Sequence, residues 1–207
     1  MHIRPFHCAA FAAALFAASC LAAAKEAHGA EASPWQRGPH AAVRLIGGTP
    51  ERGSEGTIRR AGVEIALDPG WKTYWRYPGD SGIPPRFDFA GSVNVKDVQV
   101  LWPAPIRFSD GAGTSIGYAG HVVFPLRVRP RDPDAPVTLR LKLDYAICET
   151  LCVPADASVE LSLDGTTSPY DDLIRASEAR VPRKARIGGD GPLAIASVRR
   201  ERSPKPR

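Results

Sequence analysis

The chain has 207 residues, 43% of them hydrophobic and 24% charged, with 20 Pro, 19 Gly and a formal net charge of +5. That is enough apolar material for one sizeable core, which argues against a disordered or fibrous chain, and the Pro and Gly content favours short strands and turns over long helices. The positive charge is partly a tail effect, because Arg183, Lys184, Arg186, Arg199, Arg200, Arg202, Lys205 and Arg207 crowd the C-terminus. Such a run reads as a solvated tail or a contact for anionic lipid or an acidic partner, and nothing else points to nucleic acid.

The first 30 residues read as a signal peptide. Arg4, flanked by His2 and His7, gives a weakly basic start, and an Ala-rich apolar run follows from Cys8 to Ala24. Small residues then offer cleavage sites near residue 24 or residue 30. The run is too short and too Ala-rich for a good membrane span, and no later stretch approaches ~20 apolar residues. Export from the cytoplasm is the expectation. Cys20 follows Ala17-Ala18-Ser19, a loose imitation of a lipoprotein box without the usual Leu, so ordinary cleavage is favoured over lipidation. Cleavage removes Cys8 and Cys20 and leaves Cys148 and Cys152 as the cysteines of the mature chain. In an oxidising compartment such a close pair is normally bridged.

Along the mature chain, residues 31–39 read as an extended leader and Ala41–Ile46 as a short strand ended by two glycines. Thr57–Leu67 alternates, and Asp68-Pro69-Gly70 then supplies a turn in which Pro presets φ and Gly admits φ > 0. In the next strand, Trp71, Thr73, Trp75 and Tyr77 share one side. Pro78–Gly82 and Pro84-Pro85 interrupt it. Strands are expected again at 87–89, 93–102 and 122–128, with Pro103–Gly120 a loop-rich stretch between. The clearest alternation runs from Val137 to Ile147, with Val137, Leu139, Leu141, Leu143, Tyr145 and Ile147 facing one way. This predicts a half-buried antiparallel strand.

Ser158–Leu163 alternates again, which puts both cysteines in the loop between two strands. About eight strands separated by turn signals predict an all-β, immunoglobulin-like β-sandwich over residues 31–165. A short C-terminal helix is expected over 166–182, with Ser168 as cap, Pro169 at its first position and Asp171 and Asp172 at its positive end. Residues 183–207 read as a basic, flexible tail.

The chemistry lies in Tyr145-Ala146-Ile147-Cys148-Glu149-Thr150-Leu151-Cys152-Val153-Pro154. A bridge across so small a loop gains little chain entropy, so a purely structural purpose is poorly served. If the strand register persists, Cys148 points away from the core side, and an accessible pair suits thiol–disulfide exchange. A static, loop-pinning bridge remains open on these residues alone. Thioredoxin-type sites place two residues between the cysteines and the first at a helix N-terminus. Here three residues intervene and a strand follows, so a carrier that docks with a thioredoxin fits better than a thioredoxin. Two thiolates would also suit Cu(I). No other cofactor is indicated.

The ordered set Gly70-Trp71-Lys72-Thr73-Tyr74-Trp75, Pro78 to Pro85, Val100 to Pro105, and Leu143 to Pro154 resembles the N-terminal periplasmic domain of the thiol:disulfide interchange protein DsbD. It is most similar to the branch found in the copper-sensitivity suppressor ScsB. The resemblance implies an immunoglobulin-like sandwich that passes reducing equivalents between thioredoxin-fold periplasmic proteins. It implies that Cys152 forms the mixed disulfide with partners and that Cys148 resolves it. It also implies an aromatic cap over the disulfide within Arg107–Tyr118, with Phe108 the candidate. Phe108 as plain core is an equal alternative. Tyr118 and Tyr145 either pack near the sulfurs or fill the sandwich. The family's membrane electron-carrying domain is not among these residues, so a separate membrane-bound reductant is expected. The same fold with a static bridge or a copper-handling task is the alternative.

Overall fold

The computed structural model describes residues 31–53, 56–80, 82–109, 113–164, 167–184, 186–188 and 195–199. The expected signal peptide with Cys8 and Cys20, and the last eight residues of the basic tail, lie outside them.

Twelve strands and one helix are found among the described residues. They are β1 (Gln36–Gly38), β2 (Ala41–Gly47), β3 (Glu51–Gly53), β4 (Gly56–Leu67), β5 (Lys72–Gly79), β6 (Arg86–Asp88), β7 (Val95–Val100), β8 (Ile106–Ser109), β9 (Thr114–Ala119), β10 (His121–Pro130), β11 (Val137–Cys148) and β12 (Cys152–Leu163), followed by α1 (Asp171–Ala179). The first sheet runs β1-β2-β4-β10-β7, with β3 on the end of β4. The second runs β12-β11-β5-β9-β8, with β6 beside β11. All pairings are antiparallel. The chain is an all-β, immunoglobulin-like sandwich.

Period-two alternation puts one face of each long strand into the space between the sheets. Val43, Leu45, Val63 and Ile65 from the first sheet meet Leu139, Leu141, Leu143 and Leu161 from the second, all buried. Phe124 on β10 is the aromatic centre of this core. Phe87, Trp102 and Tyr118 approach it edge-on, with ring centroids 5.3, 5.2 and 5.2 Å away. Edge-to-face contacts of this kind add to the stabilisation from apolar burial.

β11 obeys the alternation with an informative exception. Arg140, Lys142 and Asp144 on its outer face are exposed, but Ala146 and Cys148, further along the same face, are buried. Something covers the outer face of the second sheet only at this end.

Four short strands exceed the sequence reading. β1 lies in the expected leader, β3 precedes β4, and β8 and β9 occupy the stretch read as loop. The cysteines also sit differently from expectation. β11 ends at Cys148 and β12 begins at Cys152, so both belong to strands and face each other as a pair. The helix is shorter at its start than expected. Tyr170 is its N-cap, with no side-chain cap hydrogen bond. Ser168 instead donates to the Gly47 carbonyl at 2.7 Å and accepts from the Tyr170 N–H at 3.1 Å, which ties the incoming chain to β2. α1 then covers the outer face of the first sheet, burying Ile174 against Ile46 and Val123.

Candidate functional site

The β11–β12 ladder stays in register to its end, where Cys148 and Cys152 are direct partners with α-carbons 4.1 Å apart. That separation is within reach of a bridge, and the two are joined as a disulfide. The pair is asymmetric. Cys148 is 2% exposed, whereas Cys152 is exposed, with Leu151 (76%) and Val153 (38%) exposed beside it. The expectation of an accessible pair is corrected to one accessible cysteine. Cys148 does point away from the main core, but it enters a second, smaller cluster formed with Tyr74 and Ala146, against which Phe108 packs.

Tyr74 comes from β5, which pairs with β11 through Thr73 opposite Ile147 and Lys72 opposite Cys148. The Thr73 hydroxyl donates to the Ala146 carbonyl at 2.9 Å and pins this junction. Alternation turns Trp71 and Trp75 toward the main core and Tyr74 toward the sulfurs. The Tyr74 hydroxyl lies 2.7 Å from Cys148 Sγ and 3.0 Å from Cys152 Sγ. Bridged sulfurs carry no hydrogen, so the phenol is the donor.

Two glycines permit this arrangement. Gly82 has φ +122°, and a Cβ built there would collide with the Tyr74 ring. Gly117, the β9 partner of Tyr74, lies so close to β5 that a Cβ would meet the Thr73 carbonyl oxygen.

Phe108 is half-buried on β8, its ring 6.1 Å from that of Tyr74 and tilted by 40°. The Lys72 ammonium lies 5.6 Å from the Phe108 ring and also donates to the Gly70 carbonyl at 2.9 Å. The β8–β9 hairpin that carries Phe108 is tied to the turn after β5. Asp80 N–H donates to the Thr114 carbonyl at 3.0 Å, and the Asp80 carboxylate accepts from Thr114 N–H at 2.9 Å. Phe108 packs against the small cluster of Tyr74, Ala146 and Cys148.

Tyr118 and Tyr145 lie in the main core, each 4% exposed, and not in the cluster around the sulfurs. The Tyr118 hydroxyl donates to the Pro103 carbonyl at 2.9 Å. Burial pushes its phenol pKa upward, and burial with the nearby Asp156 raises that of Tyr145 to about 12. Both stay neutral at ordinary pH. Sequence reasoning missed Tyr74. The alternation that set it opposite Trp71 and Trp75 was legible, but its meaning depends on β5 lying beside β11.

Beside the bridge a groove runs along the second sheet, lined by residues 83–86, Asp144, Tyr145 and residues 154–156. Ile83 is exposed at its edge. Among the described residues, no group of three or more His, Cys, Asp or Glu is placed to hold a metal ion. Also among them, no helix is long and apolar enough to cross a membrane.

The family described as "Thiol:disulfide interchange protein DsbD, N-terminal" matches residues 50–164, a span that contains Tyr74, Phe108 and both cysteines. The chain belongs to this family. A solved structure, the N-terminal periplasmic domain of ScsB from Proteus mirabilis, is similar at 31% identity and a TM-score of 0.59. The match covers 75% of this chain and 61% of that one. Comparison with curated protein sequences gives no match. The matched span thus holds a disulfide with one buried and one exposed cysteine.

Proposed function

We propose that this DsbD N-terminal-type domain is a periplasmic carrier that passes reducing equivalents between thioredoxin-fold proteins through Cys148 and Cys152. The observation that carries the reading is the exposed Cys152 bonded to a buried Cys148. Exchange requires a thiolate to approach one sulfur in line with the bond to the other. Burial blocks that approach at Cys148 and leaves it open at Cys152. A partner thiolate therefore attacks Cys152 Sγ, the bridge breaks, and its electron pair leaves on Cys148 Sγ. A second thiol of the partner then attacks the partner's own sulfur in the mixed disulfide and releases the reduced domain. The partner becomes oxidised and the domain holds the two electrons.

Exposed Leu151, Val153 and Ile83 offer an apolar rim for the partner's thiol-bearing surface. Export through the 1–30 signal peptide and loading by a separate membrane-bound reductant complete the proposal.

The test is trapping. In cells expressing Cys148→Ser, Cys152 lacks its resolving thiol and accumulates a dithiothreitol-sensitive adduct with a thioredoxin-fold protein. Cys152→Ser should give no such adduct. If neither variant captures a thioredoxin-fold partner, the carrier reading is wrong.

A further inference from the structure

The Tyr74 hydroxyl reaches both sulfurs. Its side chain is fully buried, so the phenol's position is set by packing rather than by solvent. The two distances are unequal. The hydroxyl is nearer Cys148, 2.7 against 3.0 Å, and Cys148 is the sulfur that departs when Cys152 is attacked.

A neutral bridged sulfur is a weak hydrogen-bond acceptor. A departing thiolate is a charged one, and hydrogen bonds to charged groups are roughly twice as strong as neutral ones. An interaction that strengthens as the reaction proceeds lowers the barrier, whereas one of constant strength does not. A donor held in place away from water needs little reorganisation when the charge develops.

We infer that Tyr74 is a catalytic hydrogen-bond donor, whose hydroxyl stabilises the thiolate developing on Cys148 as the bridge opens. The inference rests on the exchange reading above. In the forward step the partner thiolate forms a bond to Cys152 Sγ and the Cys148–Cys152 bond breaks. Both electrons of that bond pass to Cys148 Sγ, which accepts the Tyr74 O–H hydrogen bond and later takes a proton from solvent. In the reverse step the same hydrogen bond holds the Cys148 thiolate as it attacks Cys152 Sγ in the mixed disulfide and expels the partner's thiolate. Phe108 acts differently, because it has no donor and can only cover.

The experiment uses the full chain and dithiothreitol, a small dithiol that needs no docking surface. Tyr74→Phe keeps the ring and its packing while removing the hydroxyl. Stopped-flow reduction should slow by about tenfold or more, the rate equivalent of one hydrogen bond to a charged group. A second measurement isolates the thiolate. In Cys152→Ser, with and without Tyr74→Phe, the Cys148 thiol is titrated by ultraviolet thiolate absorbance. Removing the hydroxyl should raise its pKa by about one unit. If wild type reduces readily while Tyr74→Phe reduces equally fast or faster, or if the Cys148 titration does not move, the role of Tyr74 is overturned. A wild-type bridge that dithiothreitol cannot open overturns the exchange reading itself, so the two failures are distinguishable.

Discussion

The outer faces of the two sheets are both covered, but by different means. On the first sheet α1 inserts a fully buried Ile174 against Ile46 and Val123. Charged pairs surround that contact. Arg60 donates to Glu178 at 2.7 Å and lies 3.5 Å from Asp171. Glu64 joins Arg44 and His121 at 2.5 and 2.6 Å, and Arg44 also lies over the Trp35 and Tyr170 rings. On the second sheet the cover is one half-buried phenylalanine and one tyrosine over a disulfide. The first arrangement combines apolar burial with partly desolvated ion pairs, which resist separation because each charge would lose its partner. The second is a small cluster of Tyr74, Ala146 and Cys148 whose outermost ring, Phe108, is only half-buried. Under the proposed exchange, the contrast separates a face that stays shut from one that admits a partner.

The largest expected effect tests the shut face. Ile174→Ala removes a buried side chain from a closely packed contact and should lower unfolding stability by about 2–5 kcal/mol in urea denaturation. Reduction of the bridge by dithiothreitol should stay within about twofold of wild type under conditions where the variant remains folded, because that rate depends on access to the sulfur. A rate that rises together with the loss of stability would mean that the two faces are mechanically linked.

The next effect tests the face proposed to admit a partner. Phe108→Ala deletes the ring beside Tyr74 but leaves the hydroxyl and both sulfurs. Reduction should accelerate by roughly tenfold, equivalent to about 1.4 kcal/mol of lost shielding. Its sign is opposite to that expected for Tyr74→Phe, so the pair separates covering from hydrogen bonding. An unchanged rate would leave Phe108 as passive packing.

How much of this was legible in the sequence depends on the range of the cause. The β11 alternation is local, and every residue of its expected inward set, Val137, Leu139, Leu141, Leu143, Tyr145 and Ile147, is buried. The short strands β1, β3, β8 and β9 exist through their pairing with distant neighbours, and three to six residues carry too little periodicity to announce that. The alternation predicts the strand after the cysteines from Ser158, beyond Pro154. It begins at Cys152, and β12 is an edge strand, where a proline lacking its N–H is tolerated. Ser168 resembled a helix cap by residue type, but its hydroxyl is taken by Gly47, 121 positions away. For the site, the cysteine pair was plain and Phe108 was one of two readings. The burial of Cys148 was hidden, because its cover comes from β5 and β8, neither adjacent to it in the chain.

The smallest effect is a pH dependence confined to the shut face. Burial alone would raise the carboxyl pKa of Glu64, but hydrogen bonds with His121 and Arg44, together with their charges, outweigh it and hold the group below its ordinary value. A carboxylate whose folded pKa is depressed binds fewer protons in the folded chain than in the unfolded one. Its contribution is therefore present above the unfolded pKa, about 4.3, and lost as pH falls through the folded value. One proton limits the slope to about 1.4 kcal/mol per pH unit. Glu64→Gln should accordingly be less stable than wild type near neutrality, and the difference should narrow as the solution is acidified below about pH 4. Urea midpoints for both proteins across that range provide the check. Parallel curves would show that the Glu64 charge contributes nothing to holding the first sheet's outer face. Dithiothreitol reduction of the two proteins, compared at one pH, should be the same, since neither Glu64 nor its partners belong to the cluster around the bridge.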